Sequence, residues 1–130
     1  MSGAPETLPT VERRITQEQL VKYADASGDH NPLHLDEEFA LGTPYGRTIA
    51  HGMLVLAMVS ELMTRSFGRS WLRGGRLKTR FRAPVFPGDT VRATGTLKAS
   101  DEATATYEVS VANQDGENVI TGDASVTLNA

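Results

Sequence analysis

The sequence predicts an α+β fold in which a curved antiparallel sheet wraps around one long buried helix. The first observation is the segment from Ile49 to Phe67, whose apolar residues cover most of a helix circumference, as is typical of a buried helix. The second is the remainder of the chain, which is rich in Val, Thr, Phe and Tyr and is interrupted by turn-forming pairs such as Pro87-Gly88 and Asp115-Gly116. A long helix followed by four sequential strands predicts a sheet that curls around the helix.

Length and composition narrow the possible functions. With 130 residues, of which 39% are hydrophobic, the chain fits one domain over residues 1–130 with a core of its own. The absence of cysteine excludes disulfides, thiolate nucleophiles and Cys-based metal sites. A formal net charge of −3 gives no overall attraction to nucleic acid, and no apolar run approaches the roughly 20 residues of a membrane span. The first residues lack the features of a signal peptide, so we expect a soluble cytoplasmic protein.

The individual elements follow from local signals. Thr16 and Gln19 have the spacing of a capping box and predict a helix that ends near Ser27-Gly28. The stretch DEEFALG predicts one or two helical turns before Thr43-Pro44, and the buried helix comes next. The four expected strands, which we predict to form an antiparallel meander, lie within RLKTRFRAPVF, DTVRATGTLKAS, ATATYEVSVANQ and NVITGDASVTLNA.

The turn SGDHNPLHLD contains the strongest concentration of titratable side chains. Asp29 and His34 flank Pro32, which fixes φ and biases the preceding residue towards extended geometry, so the segment predicts a defined turn. Such a turn can direct a carboxylate and an imidazole at one water molecule, which makes a plausible acid/base pair. Asn31 can hold the turn through its side-chain amide. In the alternative interpretation, Asp29 and Asn31 are ordinary turn formers and His34 is a capping residue.

Metal binding is a further interpretation of the same turn. His30, His34 and Asp36 offer ligand atoms of suitable chemistry. Their spacing, however, is not that of a known zinc or iron motif. We therefore predict no metal site.

The pair His51-Gly52 lies at the start of the predicted buried helix. Helix N-termini expose unpaired N–H groups with a partial positive charge, and glycine lets a ligand approach the backbone closely. These properties predict an oxyanion site at Gly52. In the alternative interpretation, His51 is a packed core histidine and Gly52 a loop residue.

Four cations, Arg76, Lys78, Arg80 and Arg82, alternate with less polar residues. On a strand this spacing places all four on one face. The phosphates of a coenzyme A or acyl-carrier-protein arm would suit such a face, as would solvent and neighbouring carboxylates.

Two stretches, YADASGDHNPLHLDEEFA and GTPYGRTIAHGMLVLAMVSELM, resemble the hydratase 2 motif of the MaoC-like family, specifically that of the (R)-specific enoyl-CoA hydratases. The later RFRAPVFPGDTV extends the similarity over most of the chain. The pattern Asp-x-Asn-Pro-x-His followed by a downstream His-Gly is long and ordered, which makes a chance match improbable.

The resemblance implies a hotdog fold, in which a curved antiparallel sheet wraps around a long helix, in agreement with the class predicted above. It also implies that Asp29 and His34 are the catalytic pair and that the Gly52 N–H faces a thioester oxygen. The residues that it places in the oxyanion and substrate-binding group are Gly52, Asn31, Ser60 and His51.

The implied reaction is the reversible syn hydration of a trans-2-enoyl thioester to the (R)-3-hydroxyacyl product. In this scheme Asp29 takes a proton from water as the water attacks Cβ, and His34 holds the water and supplies the proton to Cα. The implied partner is an acyl-CoA or acyl-carrier-protein thioester, with no metal or redox cofactor, and the implied assembly is a homodimer or higher homo-oligomer.

Three other functions remain open at this stage. A thioesterase-like hotdog protein would need a carboxylate in or near the central helix, where Glu61 is the candidate. The chain could instead be one subunit of a heteromeric 3-hydroxyacyl dehydratase. It could also be a non-catalytic acyl-CoA binding protein that retains the motif.

Overall fold

Five helices and five strands follow one another in residues 4–128, the part of the chain that the computed structural model describes. In chain order they are β1 Val11–Arg14, α1 Gln17–Ser27, α2 Pro32–Leu35, α3 Glu37–Leu41, α4 Gly52–Phe67, α5 Arg69–Gly74, β2 Gly75–Phe81, β3 Thr90–Ser100, β4 Thr104–Ala112 and β5 Asn118–Thr127. The predicted α+β class is confirmed.

The strands form one antiparallel sheet in the order β1-β3-β4-β5-β2. The meander β3-β4-β5 agrees with the sequence prediction, but β2 does not join it next to β3. Instead β2 pairs with β5, from Gly75 opposite Val126 to Phe81 opposite Ile120. Alternating polarity identifies a strand without identifying its neighbour, and sequential strands are not always adjacent. The strand β1, which the sequence analysis did not predict, pairs with β3 at the opposite edge.

Helix α4 packs against the sheet through one of its sides. Its fully buried residues are Val55, Met58, Val59, Leu62 and Met63. Met53, in contrast, is 60% exposed, and Ala57 is also exposed, so the helix is not covered all round within one chain. The sequence predicted burial on nearly every side. In residues 4–128, no helix combines the length and the apolarity needed to cross a membrane.

The helix that precedes the titratable turn begins and ends where the sequence predicted. The Thr16 side chain accepts a hydrogen bond from the Gln19 N–H, the Gln19 side chain accepts one from the Thr16 N–H, and Gly28 ends the helix at φ 82°. This left-handed residue, which suits glycine, turns the chain directly into Asp29. The predicted helix after Asp36 is confirmed as α3, whereas α5 was not predicted.

Candidate active site

A chain of short hydrogen bonds fixes the turn that carries Asp29. Ser27 Oγ accepts from the Asp29 N–H at 3.1 Å, and Asp29 Oδ1 accepts from the Asn31 N–H at 3.2 Å. Asn31 Oδ1 then accepts from the Leu33 N–H at 3.0 Å and caps α2, whose first residue is Pro32. A proline is tolerated at this position because the first N–H of a helix has no intrahelical acceptor. Asn31 therefore supports the turn, as predicted, from outside the cavity described below.

The single turn of α2 directs His34 towards Asp29. His34 Nδ1 lies 2.8 Å from the Ile49 carbonyl oxygen, which can only accept, so Nδ1 carries a proton. His34 Nε2 faces Asp29 Oδ2 across 4.0 Å. This separation is too long for a direct hydrogen bond and suits a bridging water. The His34 side chain is 12% exposed, whereas that of Asp29 is 52% exposed, so the pair lies where the protein interior meets solvent.

Side chains that were not identified from the sequence hold α2 in place through hydrogen bonds. Gln17 Nε2 donates to the His34 carbonyl oxygen at 2.8 Å, and the buried Thr48 hydroxyl donates to Gln17 Oε1 at 2.7 Å. The Ile49 N–H donates to the Leu33 carbonyl oxygen at 3.2 Å. No local pattern marks Gln17 for this role, because its partner lies 17 positions away in the sequence.

His51 lies behind the pair and is only 2% exposed. Its Nε2 donates to the Asp29 carbonyl oxygen at 3.1 Å, and its ring stacks on that of His34 with centroids 3.9 Å apart. Tyr23 packs on the same ring at 4.8 Å. Burial, opposed by the hydrogen bond to Asp29, lowers the pKa of His51 below its ordinary value. Its Nδ1 has no hydrogen-bond partner among the described residues, so His51 is a neutral imidazole with its proton on Nε2.

This placement changes the role that the sequence analysis gave to His51. The ring contacts the backbone of Asp29 and the face of His34, and it does not line the cavity where a substrate would bind. It is a packed, hydrogen-bonded histidine, as the alternative interpretation held, but it packs on the predicted catalytic pair. His51 is therefore a candidate positioning residue.

Helix α4 begins at Gly52, at the edge of an apolar cavity of about 300 Å³. Within residues 4–128, the Gly52 N–H forms no hydrogen bond, as an oxyanion donor requires. Gly52 does not have a positive φ, so its backbone is open to other residues. Steric space restricts a side chain at Gly52 more than backbone conformation does, because an added Cβ would lie 2.9 Å from Phe81 Cε1. The cavity is lined by His34, Tyr45, Ile49, Ala50, Gly52, Val55, Phe81, Arg82, Ala83, Pro84, Val85, Val119 and Ile120.

Ser60 does not join these residues. Its hydroxyl oxygen accepts from Trp71 Nε1 at 3.0 Å, a contact between α4 and α5, and it does not line the cavity. Because Trp71 is 8% exposed, this hydrogen bond satisfies a nearly buried donor. The structure gives Ser60 a structural contact, and the substrate contact implied by the family resemblance stays a prediction.

The three metal ligands considered from the sequence are directed to separate partners. His30 Nε2 lies 3.1 Å from Asp25 Oδ1, at the exposed end of α1. Asp36 Oδ1 accepts from two N–H groups at the start of α3. The structure therefore does not bring His30, His34 and Asp36 together as a ligand set.

Another trio, Asp29, His34 and His51, has ligand atoms within 4.8 Å of one another. The planes of the two imidazoles are inclined by only 25°, so their in-plane lone pairs run side by side instead of converging on one ion. One nitrogen of each ring already faces a carbonyl oxygen. The donor geometry therefore favours an acid/base pair with a supporting ring over a metal centre.

Glu61, the candidate carboxylate for a thioesterase, is held by arginines. Its carboxylate lies 2.8 Å from Arg13 Nη1 and 2.6 Å from Arg65 Nη2. The hydrogen bond from Arg13 lowers the pKa of Glu61, although partial burial opposes this effect. Glu61 does not line the cavity that contains His34 and Gly52. Its position favours a structural ion pair over a nucleophile or base.

Comparison with known proteins defines the class to which this fold and site belong. The family model described as a MaoC like domain matches residues 4–119, which is most of the chain. The chain therefore belongs to the MaoC-like dehydratase domain family. This result confirms the resemblance drawn from the Asp-x-Asn-Pro-x-His and His-Gly patterns.

Particular members of the family are similar over different lengths. The (R)-specific enoyl-CoA hydratase of Aeromonas caviae is 35% identical over 91% of this chain and 90% of its own. The 3-hydroxyacyl-thioester dehydratase Z of Mycobacterium tuberculosis is 42% identical over 64% of this chain, and the match spans 58% of that protein. The solved structure of the A. caviae (R)-hydratase involved in PHA biosynthesis superposes with a TM-score of 0.83, at 32% identity, over 98% of this chain and 99% of that one. The hotdog fold is confirmed by this structural similarity.

Proposed function

We propose that this protein is an (R)-specific enoyl-thioester hydratase, which adds water reversibly to a trans-2-enoyl thioester. The observation that carries the proposal is the 4.0 Å separation between Asp29 Oδ2 and His34 Nε2, at which one water lying to the side of the pair can form a hydrogen bond with both atoms. His34 and Gly52, whose N–H is free, line the same cavity, and Asp29 faces His34 from outside its lining. The hydration of an enoyl thioester needs these three parts: a base, a proton donor and an oxyanion donor. The similarity to the A. caviae hydratase over nearly the full chain supports this reaction.

The N-terminal end of α4 activates the substrate. The Gly52 N–H donates to the thioester carbonyl oxygen, and the N-terminal end of the helix dipole adds positive potential there. Both stabilise the negative charge that moves onto this oxygen as Cβ is attacked. Because this charge is largest in the transition state, the donor accelerates the reaction more than it tightens binding.

Asp29 and His34 carry out the proton transfers. The Asp29 carboxylate accepts a proton from the water while the water oxygen forms its bond to Cβ. Because His34 Nδ1 is bonded to the Ile49 carbonyl oxygen, the proton delivered to Cα comes from Nε2 of the imidazolium form. Transfer of a proton from Asp29 to His34 then restores the starting state. Dehydration follows the same path in reverse, and no step requires a metal or a redox cofactor.

The experiment that tests this function follows the absorbance of the enoyl-thioester band with CoA thioesters of increasing chain length, together with chiral analysis of the product. We expect loss of the band and formation of the (R)-3-hydroxyacyl thioester. A folded protein that turns over none of these substrates would refute the proposal and leave a binding function. Release of free coenzyme A without a hydroxyacyl product would favour a thioesterase.

We also propose that the protein is at least a homodimer. Strand β2 is hydrogen-bonded to β5 on one side and presents its other backbone edge, and Leu77 and Phe81 on β2 are 37% and 56% exposed. Together with the exposed Met53 on α4, these features are liabilities in an isolated chain. A second copy related by a two-fold axis would cover them.

Light scattering at micromolar concentration tests the assembly. We expect a dimeric mass or a larger multiple, and we expect Leu77→Glu to reduce it by placing a charge in the interface. Leu41→Glu is the matched control, because Leu41 is 70% exposed on α3. A monomeric wild-type protein would contradict the homodimer, and co-purification with a different hotdog chain would favour the heteromeric dehydratase.

A further inference from the structure

One part of the chain contains cations and no carboxylates. Between residues 62 and 88 there are seven Lys or Arg residues and no Asp or Glu, although the whole protein has a formal net charge of −3. The positive charge is thus concentrated in the segment from the end of α4 to the loop after β2. A segment of this kind attracts an anionic partner even when the molecule as a whole is acidic.

Most of these cations are not neutralised by the protein. Arg65 pairs with Glu61, and Arg82 Nε donates to Thr121 Oγ1 at 2.9 Å. Among the described residues, the other five cations have no side-chain hydrogen bond or ion pair; they are Arg69, Arg73, Arg76, Lys78 and Arg80. Free cations arranged on regular secondary structure are available to an external anion.

Three of the five lie in a row on the outer face of β2. Side chains alternate along a strand, and Phe81 points towards Gly52 at the start of α4. Arg76, Lys78 and Arg80 therefore point away from α4, on the opposite face of the sheet. Arg82 follows the strand and borders both the cavity and a groove on that outer face. The row thus leads to the rim of the proposed active site.

Arg76 and Arg80, at the two ends of the row, have no carboxylate opposite them on the neighbouring strand β5. Asp123 of β5 lies opposite Lys78 in the sheet, and its carboxylate already pairs with Lys98 at 3.1 Å. Arg76 and Arg80 lie opposite the uncharged Ser125 and Thr121. Neither arginine therefore has a carboxylate directly opposite it, although Glu108 of β4 borders the same groove as Arg80.

We propose that this row, Arg76, Lys78 and Arg80, together with Arg82 at the cavity rim, is the docking surface for an acidic acyl-carrier protein that delivers the thioester to the cavity. The proposal rests on the proposed function and identifies the carrier of its substrate. From Arg76 to Arg82 the strand extends for roughly 20 Å. An extended row fits the side of an acidic helix, whereas the phosphates of coenzyme A are gathered at one end of that molecule. The side chains project from the face of the sheet, so pairing of the β2 edge with a second copy would not cover them.

The test compares one acyl chain on two carriers, a but-2-enoyl group on coenzyme A and on a phosphopantetheinylated acyl-carrier protein. The variant is Arg76→Glu/Arg80→Glu, which spares Arg82 at the cavity rim. We expect it to raise KM for the carrier-protein substrate by about tenfold or more at low salt, because the introduced glutamates repel the acidic carrier protein as the two proteins associate. Hydration of the CoA substrate should stay within about twofold of wild type, and the difference should shrink at high salt.

The matched control is Arg14→Glu/Lys22→Glu, which makes the same change in net charge on β1 and α1. We expect this control to behave like the wild type on both substrates. An equal loss on both substrates in the β2 variant, or a loss on the CoA substrate alone, would overturn the carrier-protein assignment. An unchanged KM for the carrier protein would also overturn it.

A binding measurement keeps this proposal separate from the proposed function. Calorimetric titration of wild type and of Arg76→Glu/Arg80→Glu with the phosphopantetheinylated carrier protein needs no turnover. Binding that the double reversal weakens by about tenfold or more would support the docking surface even if no substrate were hydrated. Equal binding by the two proteins, or none by the wild type, would refute the docking surface without affecting the hydratase proposal.

Discussion

The imidazole of His51 lies stacked on that of His34, with ring centroids 3.9 Å apart and planes inclined by 25°. The two histidines differ in their surroundings, because His51 is buried and hydrogen-bonded to the Asp29 backbone whereas His34 faces the cavity and the Asp29 carboxylate. Burial and the neighbouring His34 both disfavour a charge on His51 and lower its pKa. His51 is therefore the neutral ring of the stacked pair.

The first prediction concerns the acid/base pair. Asp29→Asn keeps the shape of the side chain and removes the base, and His34→Ala removes the proton donor. Each should lower kcat for enoyl-thioester hydration by at least about 10²-fold while the protein stays folded. Asp25→Asn is the control, because Asp25 is an exposed carboxylate on the preceding helix that contacts His30. Turnover near the wild-type level in either variant would show that the assignment is wrong.

The second prediction separates the two contacts of His51. His51→Phe keeps a ring against His34 but loses the N–H that holds the Asp29 carbonyl, and His51→Gln keeps a donor but loses the ring. Because His51 does not line the cavity, both should lower kcat by about tenfold or more with little change in KM. We expect His51→Gln to retain more turnover than His51→Phe if the hydrogen bond to Asp29 dominates. A general packing role would instead lower the melting temperature and kcat together in both variants.

The third prediction follows from the lowered pKa of the buried His51. Since its pKa in the folded protein lies below the ordinary value of 6.5, the unfolded chain binds this proton more readily than the native state. The free energy of unfolding should therefore be constant above pH 6.5 as far as His51 is concerned. It should fall as the pH drops below that value, by up to about 1.4 kcal/mol per pH unit.

Urea unfolding between pH 7.5 and 5 measures this dependence above the range in which carboxylates titrate. His51→Phe should flatten the curve, because it removes the buried imidazole whose pKa is lowered. A wild-type curve that is flat across this range would be inconsistent with a buried neutral His51.

Much of the fold was predictable because its signals are local. The capping box at Thr16 and the apolar segment of α4 each lie within one window of the chain, and both helices were confirmed, although α4 is not buried on every side. The position of β2 beside β5 was not predictable, because it depends on which edge of the meander remains open. The four-residue strand β1 was missed because Val11–Arg14 is too short to show an alternating pattern.

In the candidate site, too, contacts within a short stretch of sequence were predictable and contacts between distant residues were not. Asp29, Asn31 and His34 lie within six residues, so a proline turn was enough to predict that they act together. The contact of His51 with Asp29 joins residues 22 positions apart, and only the folded chain brings them together. The predicted site included Ser60 because of the family resemblance, and the structure places its hydroxyl against Trp71.

The fourth prediction tests that difference for Ser60. Ser60→Ala should leave the nearly buried Trp71 indole N–H without an acceptor and lower the free energy of unfolding by about 1–3 kcal/mol. Turnover of the enoyl thioester should stay within about twofold of wild type, since Ser60 does not line the cavity. Ser66→Ala is the control on the same helix, because its hydroxyl donates only to the Leu62 carbonyl of the preceding turn. A Ser60→Ala protein of normal stability with a large loss of kcat would favour a substrate contact instead.

The fifth prediction concerns the backbone donor at Gly52, which a side-chain deletion cannot test. A Cβ at this position would meet Phe81 Cε1 at 2.9 Å, so a side chain must either displace that exposed ring or occupy the space of the thioester carbonyl. Gly52→Val should lower kcat by about 10²–10³-fold, as expected for loss of an oxyanion donor, and Gly52→Ala by less, because the Phe81 ring can move away from a single methyl group. The melting temperature should change little, since Gly52 is exposed at the first position of α4 and does not have the positive φ that would make a side chain strained.

Ala57→Val, which enlarges an exposed residue of the same helix away from the cavity, should leave turnover unchanged. Undiminished hydration by folded Gly52→Val would remove this N–H from the mechanism, and a parallel loss of stability and activity would identify Gly52 as a packing residue.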